Sequence, residues 1–273
     1  MKFAFVLTNY NNSNLTLKAI HSIAKQNYKF VKIVIIDNAS NKLNQKILKT
    51  YSKKSNNIKF IFNKKNVGYF KGLNIGINWL RANCKQCQYI IIGNNDVFFP
   101  SNFIKSIKNK KNLFNKYPVI SPNIKTLDGF YQNPHVISKI SIIRELIYDF
   151  YYLNYYLSLV LLKISKLTNF FTSRNDEKNF KNAGEIYQGY GALYILGPLF
   201  FKNFKNLWAP CFMYYEEFFL SKQLSDKGLK KFYEPSIKVL HRCHSTTKNI
   251  LPKKKWNIAK KSHKIYRKYI SLI

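Results

Sequence analysis

The sequence predicts an α/β fold: a mostly parallel central sheet with flanking helices. Three observations carry this reading. Apolar runs of strand length alternate with segments of helical periodicity four times before residue 100. Each run stops abruptly at polar, turn-forming residues. At 273 residues and 46 % hydrophobic composition, the chain can bury a full core.

Phe3–Leu7 reads as the first strand and is broken by Thr8-Asn9-Tyr10-Asn11-Asn12. A helix is expected over Leu15–Gln26, with Leu15, Ala19 and Ile23 on one stripe. Val31–Ile36 is the second strand, ending at Asp37-Asn38-Ala39-Ser40, and a polar helix follows over Leu43–Ser52. Ile58–Phe62 is the third strand, Asn66-Val67-Gly68 a turn and Gly72–Arg81 a helix. Tyr89–Gly93 is the fourth strand and runs into Asn94-Asn95-Asp96. Strand, loop and helix in repetition mean parallel strands joined by crossovers. Ligands of such sheets bind beyond the carboxyl ends of the strands, where Thr8, Asp37, Asn66 and Asp96 all fall.

The later chain changes character. Residues 136–171 are rich in Ile, Leu and Tyr, and Phe150–Leu162 carries no formal charge. That run is too short for a membrane span and contains Asn154. It reads as a hairpin of packed helices or as an interfacial, membrane-facing element flanked by Lys139, Arg144, Lys163 and Lys166. In Gly189-Tyr190-Gly191-Ala192 the glycines suggest close backbone approach to a ligand, an acceptor loop at Gly191 and Ala192. A helix follows Met213-Tyr214-Tyr215-Glu216-Glu217, and short strands are expected at Lys231–Tyr233 and Ile237–Leu240. Residues 245–273 form a basic tail without a single acid, either a solvated helix or an anchor on an anionic membrane surface. The chain thus divides into 1–244, with a ligand-binding half at 1–128, the apolar insertion at 136–171 and a second half at 183–244, and the tail.

Composition sharpens the site. There are 46 Lys and Arg against 12 Asp and Glu, a formal charge of +34. Such a surplus attracts nucleic acid, anionic lipid or phosphorylated ligands. Yet the only acids before Asp128 are Asp37 and Asp96, each directly after an apolar run. A nucleic-acid-binding protein leaves that placement unexplained, so nucleic acid is not the expected partner. Cys84, Cys87, Cys211 and Cys243 lack metal-ligand spacing and read as free thiols. The opening apolar run is too short for a signal peptide, and a cytoplasmic location is expected.

Asp96, with His241 or His244 after a late strand, suits Mg²⁺ or Mn²⁺ on a diphosphate, because a hard cation needs few protein oxygens when phosphates complete its shell. Asp37 is placed to accept hydrogen bonds from a base or ribose. Glu216 and Glu217 repel one another, which raises a carboxyl pKa and suits a general base; helix capping is the plainer alternative. Neither a dinucleotide-binding glycine motif nor a P-loop is present.

Six motifs in order then resemble the family-2 glycosyltransferases with the GT-A fold, particularly their rhamnosyltransferase-like branch. Thr8-Asn9-Tyr10-Asn11 is similar to the opening T-x-Y-N, and Ile35–Ser40 to V-V-D-N-G-S. Asn66-Val67-Gly68-Tyr69 through Gly72-Leu73-Asn74 resembles N-x-G-F with its following glycine and asparagine. Gly93-Asn94-Asn95-Asp96 stands where N-P-D, a variant of D-x-D, would be. Phe212–Glu217 is similar to F-M-Y-Y-E-D, and Ser236–His241 to the terminal P-x-A-x-V-x-H. The resemblance implies nucleotide contacts at Thr8, Tyr10, Asp37 and Asn66, with Gly68 and Asn95 of the same motifs expected beside them, and a metal ligand at Asp96. It implies a general base at Glu217, where Glu replaces the usual Asp, with Glu216 able to share the role. The expected activity is inverting transfer from a UDP- or dTDP-sugar to a lipid-linked or cell-envelope glycan. A catalytically inactive membrane scaffold of the same fold is the competing reading.

Overall fold

The computed structural model describes residues 1–53, 57–138, 140–167, 176–243 and 252–270. Its first half is the predicted parallel sheet. Strands β1 (Phe3–Asn9), β2 (Val31–Asp37), β3 (Ile58–Phe62) and β4 (Tyr89–Asn94) lie in the order β3-β2-β1-β4. They are linked by helices α1 (Ser13–Ala24), α2 (Lys42–Ser52) and α3 (Tyr69–Asn83). The register sets Thr8 beside Ile36 on one side and Asn94 on the other. Side chains alternate across β1: Phe3, Phe5 and Leu7 pack with Ala19, Ile20 and Ile23 of α1, while Ala4 and Val6 pack with Leu73 and Ile77 of α3. Both faces are covered, which is why the strand reads as a continuous apolar run.

Beyond β4 come β5 (Val97–Phe98), α4 (Phe103–Asn109), α5 (Leu113–Lys116), β6 (Val119–Thr126), α6 (Ile142–Leu153) and α7 (Tyr155–Leu167). They are followed by β7 (Gly184–Ile186), β8 (Leu193–Leu196), α8 (Pro198–Asn203), α9 (Glu216–Ser225), β9 (Lys231–His241) and α10 (Pro252–Tyr266). The sheet continues β4-β8-β6-β9-β5, with β7 on the side of β9. Strand β8 runs antiparallel between β4 and β6, so the sheet is mixed here. The two short strands expected near Lys231 and Ile237 are one strand, β9. Pro122 of β6 faces Glu234 while the next residue, Asn123, faces Lys238, so residues 235–237 bulge outward.

Two further expectations are corrected. Cys84 and Cys87 are joined as a disulfide, because α3 ends at Asn83 and the turn after it brings their Cα atoms to 5.6 Å; Cys211 is a free thiol. The thiol count therefore no longer speaks for a reducing compartment. The basic tail, for its part, is folded back onto the domain. In α10, Trp256, Ser262, His263 and Tyr266 are buried. His263 Nε2 lies 2.9 Å from Asp149 of α6, and Ser262 Oγ donates to the Met213 carbonyl at 2.6 Å. Among the described residues, no helix is long and apolar enough to cross a membrane.

Candidate functional site

The carboxyl ends of β1, β2 and β4 are tied into one buried polar hub. Asn9 Nδ2 donates to Asp37 Oδ1 at 2.7 Å, and Asn9 Oδ1 accepts from Thr16 Oγ1 at 2.9 Å and from Asn95 Nδ2 at 3.0 Å. Asp37 Oδ2 accepts from the Ser40 amide at 3.1 Å, bending the loop after β2. Asn95, expected at the nucleotide, is 2 % exposed and gives its amide to Asn9, Thr16 and the Asn12 carbonyl instead. Asp37 is likewise buried, with both oxygens accepting protein hydrogen bonds. The two residues shape the loop ends, while Thr8 and Tyr10 stand half-exposed at their margin. Asn66 Oδ1 accepts from the Gly68 amide at 2.9 Å and closes the turn into α3.

The antiparallel pairing of β5 with β9 sets Val97 opposite His241, which draws Asp96 to the same place. His241 Nε2 lies 3.1 Å from Asp96 Oδ1, and both side chains are buried. On the other side of the ring, His241 Nδ1 donates to Gln132 Oε1 at 2.7 Å. Burial pushes the imidazole pKa down, but hydrogen bonds to Asp96 and Cys243 outweigh it and raise the pKa to about 9. The Asn94 amide reaches His241 Nε2 only at 3.5 Å. His244 lies outside the described residues.

The carboxylate pair opens α9. Its two preceding residues, Tyr214 and Tyr215, take left-handed φ angles of 72° and 67°, a strained entry that re-aims the helix start. Glu217 is half-buried, and its Oε1 accepts from the Gly191 amide at 3.0 Å. A Cβ on Gly191 would lie 2.5 Å from that oxygen, so glycine is required for the approach. Ala192 is buried behind it and accepts from the Asn94 amide at 2.9 Å. Glu216 differs from its neighbour. It is buried, its Oε1 has no hydrogen-bond partner among the described residues, and burial with the adjacent Glu217 pushes its pKa up to about 8.

Three residues to which the sequence assigns no role of their own complete the arrangement. Tyr69 donates its hydroxyl to the Gly191 carbonyl at 2.7 Å and carries the field of Glu216, Glu217 and Asp96. The Tyr190 ring lies 6.1 Å from the His241 ring, and the next residue, Gly191, holds Glu217. The segment 190–192 therefore links the carboxylate of α9 to the strand end that carries Asp96. Lys231, 1 % exposed, donates from Nζ to Ser221 Oγ at 2.7 Å, and Ser221 Oγ in turn contacts the Glu217 carbonyl at 2.6 Å.

Gly68 joins the two halves. With φ at 91°, it brings backbone against backbone: a Cβ there would sit 2.1 Å from the Phe212 carbonyl oxygen, which accepts from the Tyr69 amide at 3.0 Å. No side chain can turn aside to relieve that clash. Gly68→Ala should therefore cost more than about 1 kcal/mol of stability. A urea midpoint unchanged from wild type would contradict this.

Burial lowers the Lys231 pKa from its ordinary 10.5 to about 7. Between those values the unfolded chain holds more protons at this group than the folded one, so its contribution to stability rises with pH. Lys231→Met removes that term. The variant's stability relative to wild type should be highest below pH 7 and should decline steadily toward pH 10.5, as read from paired urea unfolding series. A flat difference would contradict the burial of a chargeable amine.

A mixed sheet whose parallel half ends in a polar hub and whose other half brings a carboxylate helix to an Asp–His pair defines the GT-A class of transferase folds. The chain matches the model of glycosyl transferase family 2 over residues 4–164 and belongs to that family. It is 34 % identical, over 110 residues, to an uncharacterized glycosyltransferase of Methanocaldococcus jannaschii; the match covers 39 % of this chain and 36 % of that protein. Among solved structures, GalNAc-T7 with UDP, GalNAc and Mn²⁺ superposes with a TM-score of 0.58 at 16 % identity, covering 88 % of this chain and 44 % of that one. A mannosyltransferase of Pyrobaculum calidifontis with GDP-Man and Mn²⁺ gives 0.55 at 11 % identity, covering 90 % and 58 %. S. aureus TarS 1-349 with UDP-GlcNAc gives 0.52 at 14 %, covering 92 % and 62 %. The chain thus spans less than two thirds of the length of these proteins, and at such identities the structures share its fold.

Proposed function

We propose that the protein is an inverting, metal-dependent glycosyltransferase of the rhamnosyltransferase-like branch. It moves a sugar from a UDP- or dTDP-linked donor to a hydroxyl of a lipid-linked or cell-envelope glycan. The observation that carries this is the segment Tyr190-Gly191, whose Gly191 amide holds Glu217 while the Tyr190 ring lies 6.1 Å from His241, the partner of Asp96. The named ligands of the solved neighbours, nucleotide sugars with Mn²⁺, support the donor class.

The Asp96–His241 pair fits a hard divalent cation. Gln132 engages one ring nitrogen, which turns the other toward Asp96. Among the described residues no group of three or more His, Cys, Asp or Glu could hold a metal ion, so donor phosphates would have to complete the shell. Asp96 and His241 would hold Mg²⁺ or Mn²⁺, which when bound neutralises charge on the departing diphosphate. Thr8, Tyr10 and the turn at Asn66 and Gly68 line the nucleotide end, and Asp37 and Asn95 hold its loops in shape. Gly191 orients Glu217 through its amide. Glu217 takes the proton of the acceptor hydroxyl as that oxygen attacks C1 from the face opposite the diphosphate, whose bond to C1 breaks. The buried Glu216 keeps a proton near neutral pH and leaves the base role to its neighbour. The acceptor's lipid end is supported by the apolar surface of α6 and α7.

Thermal-shift measurements against UDP-, dTDP- and GDP-sugars, with and without Mn²⁺, test the donor reading. A melting-temperature rise that needs both one donor and Mn²⁺ is expected. No shift with any donor, alongside a salt-dependent shift on mixed oligonucleotides, would overturn it in favour of a nucleic-acid binder.

A further inference from the structure

Among the described residues, the apolar face of α6 and α7 stays exposed. On α6, Ile142, Ile143, Leu146, Ile147, Phe150 and Leu153 form one exposed stripe, with Ile143 73 % and Leu153 62 % accessible. The opposite side of α6 carries Glu145 and Asp149, and α10 engages both: Tyr266 donates its hydroxyl to Glu145, while His263 and Arg267 lie 2.9 and 2.8 Å from Asp149. The following helix, α7, adds exposed Leu159, Val160 and Ile164. A surface this apolar and continuous marks an interaction site.

Charge decides the partner. Glu145 and Asp149 are the only acids in α6, α7 and α10, and both face inward to α10. Cations flank the helix pair: Lys163 is exposed on α7, Lys260 of α10 donates from Nζ to the Leu153 carbonyl at 2.9 Å, and Lys253 of α10 lies over the rings of Tyr155 and Tyr156. With a formal charge of +34, a second copy of the chain would bring like charge to like. A hydrocarbon surface with anionic headgroups satisfies both features. The 13 residues of α7 span only about 20 Å, short of the roughly 30 Å of a hydrocarbon core, so the helix pair lies in the interface.

We infer that α6 and α7 form a membrane-docking face that seats its apolar stripe among acyl chains and its surrounding lysines among anionic lipid headgroups. Basic helix α10 supports this face from behind and contributes charge, without inserting. The inference goes beyond sugar transfer and holds whichever donor the chain uses.

Flotation of the full chain with vesicles tests it. The wild type should float with vesicles of one-third phosphatidylglycerol in phosphatidylcholine, and far less with phosphatidylcholine alone. Ile143→Ser, Ile147→Ser and Phe150→Ser combined should weaken partition at least about tenfold. Lys163→Glu, Lys253→Glu and Lys260→Glu combined should abolish the preference for anionic vesicles. Failure of the wild type to float would overturn the inference, as would partition unchanged by both sets. So would concentration-dependent self-association, in sedimentation velocity, that only the serine set removes; that result assigns the face to a second copy. The donor-induced thermal shift, measured on the same preparations, reports separately on the transferase reading. It also shows that the serine set still folds; should it not, Leu159→Ser with Val160→Ser on α7 is expected to reproduce the loss.

Discussion

Glu217→Gln should lower sugar transfer by on the order of 10²–10⁴-fold, the range of positioned general-base catalysis. The amide keeps an oxygen that accepts from Gly191, so the helix start and the donor end stay in place. Donor affinity should therefore hold while turnover falls, the pattern of an interaction made only in the transition state. Near-normal turnover with intact donor binding would remove Glu217 from the base role. The comparison with Glu216→Gln is informative. Glu216 is buried and holds its proton to about pH 8, so its amide should cost stability or little at all, but not the same loss of turnover. If Glu216→Gln proved the more damaging, the two roles would be exchanged.

Asp96→Asn should remove the dependence on Mn²⁺. The substitution preserves shape but takes away the only carboxylate beside His241 in the described site. A hard cation then has one imidazole and the donor's phosphates, too little negative charge from the protein to hold it. Loss of metal-assisted charge neutralisation is worth several kcal/mol, on the order of 10³-fold in rate. Independently of rate, the donor-induced thermal shift should become insensitive to Mn²⁺. An unaltered metal titration would overturn the assignment.

Most of the parallel half was legible in the sequence because local and global signals agree there. β1 to β4 alternate with helices that bury the two faces of the sheet, and each strand ends where turn chemistry starts. Asp96, Glu217 and His241 stood out because acids and histidines are scarce in this chain. That Asp37 and Asn95 knit the polar hub was not legible: a strand-end polar residue looks the same whatever its neighbours. Lys231 was hidden by abundance, one cation among 46 basic residues, and only burial distinguishes it. Tyr69 and Tyr190 were hidden likewise among 20 tyrosines. The single strand β9 was obscured by Pro235, which sits in the bulge where the ladder is interrupted. The packing of α10 could not be foreseen, since its buried Trp256, Ser262, His263 and Tyr266 lie among lysines that dominate its composition.

The placement of α10 has a consequence for the order in which the protein matures on the ribosome. The hub of Asn9, Asp37 and Asn95 needs only the first hundred or so residues, and its strands can pair as they emerge. His241 and the loop before Glu217 belong to the last part of the chain. That loop is held through Met213 and Cys211 by Ser262, near the end of the described residues. A nascent chain would thus own the polar hub with neither the Asp96–His241 pair nor a seated Glu217. On the proposed reading, donor held there would not be activated until synthesis had passed α10.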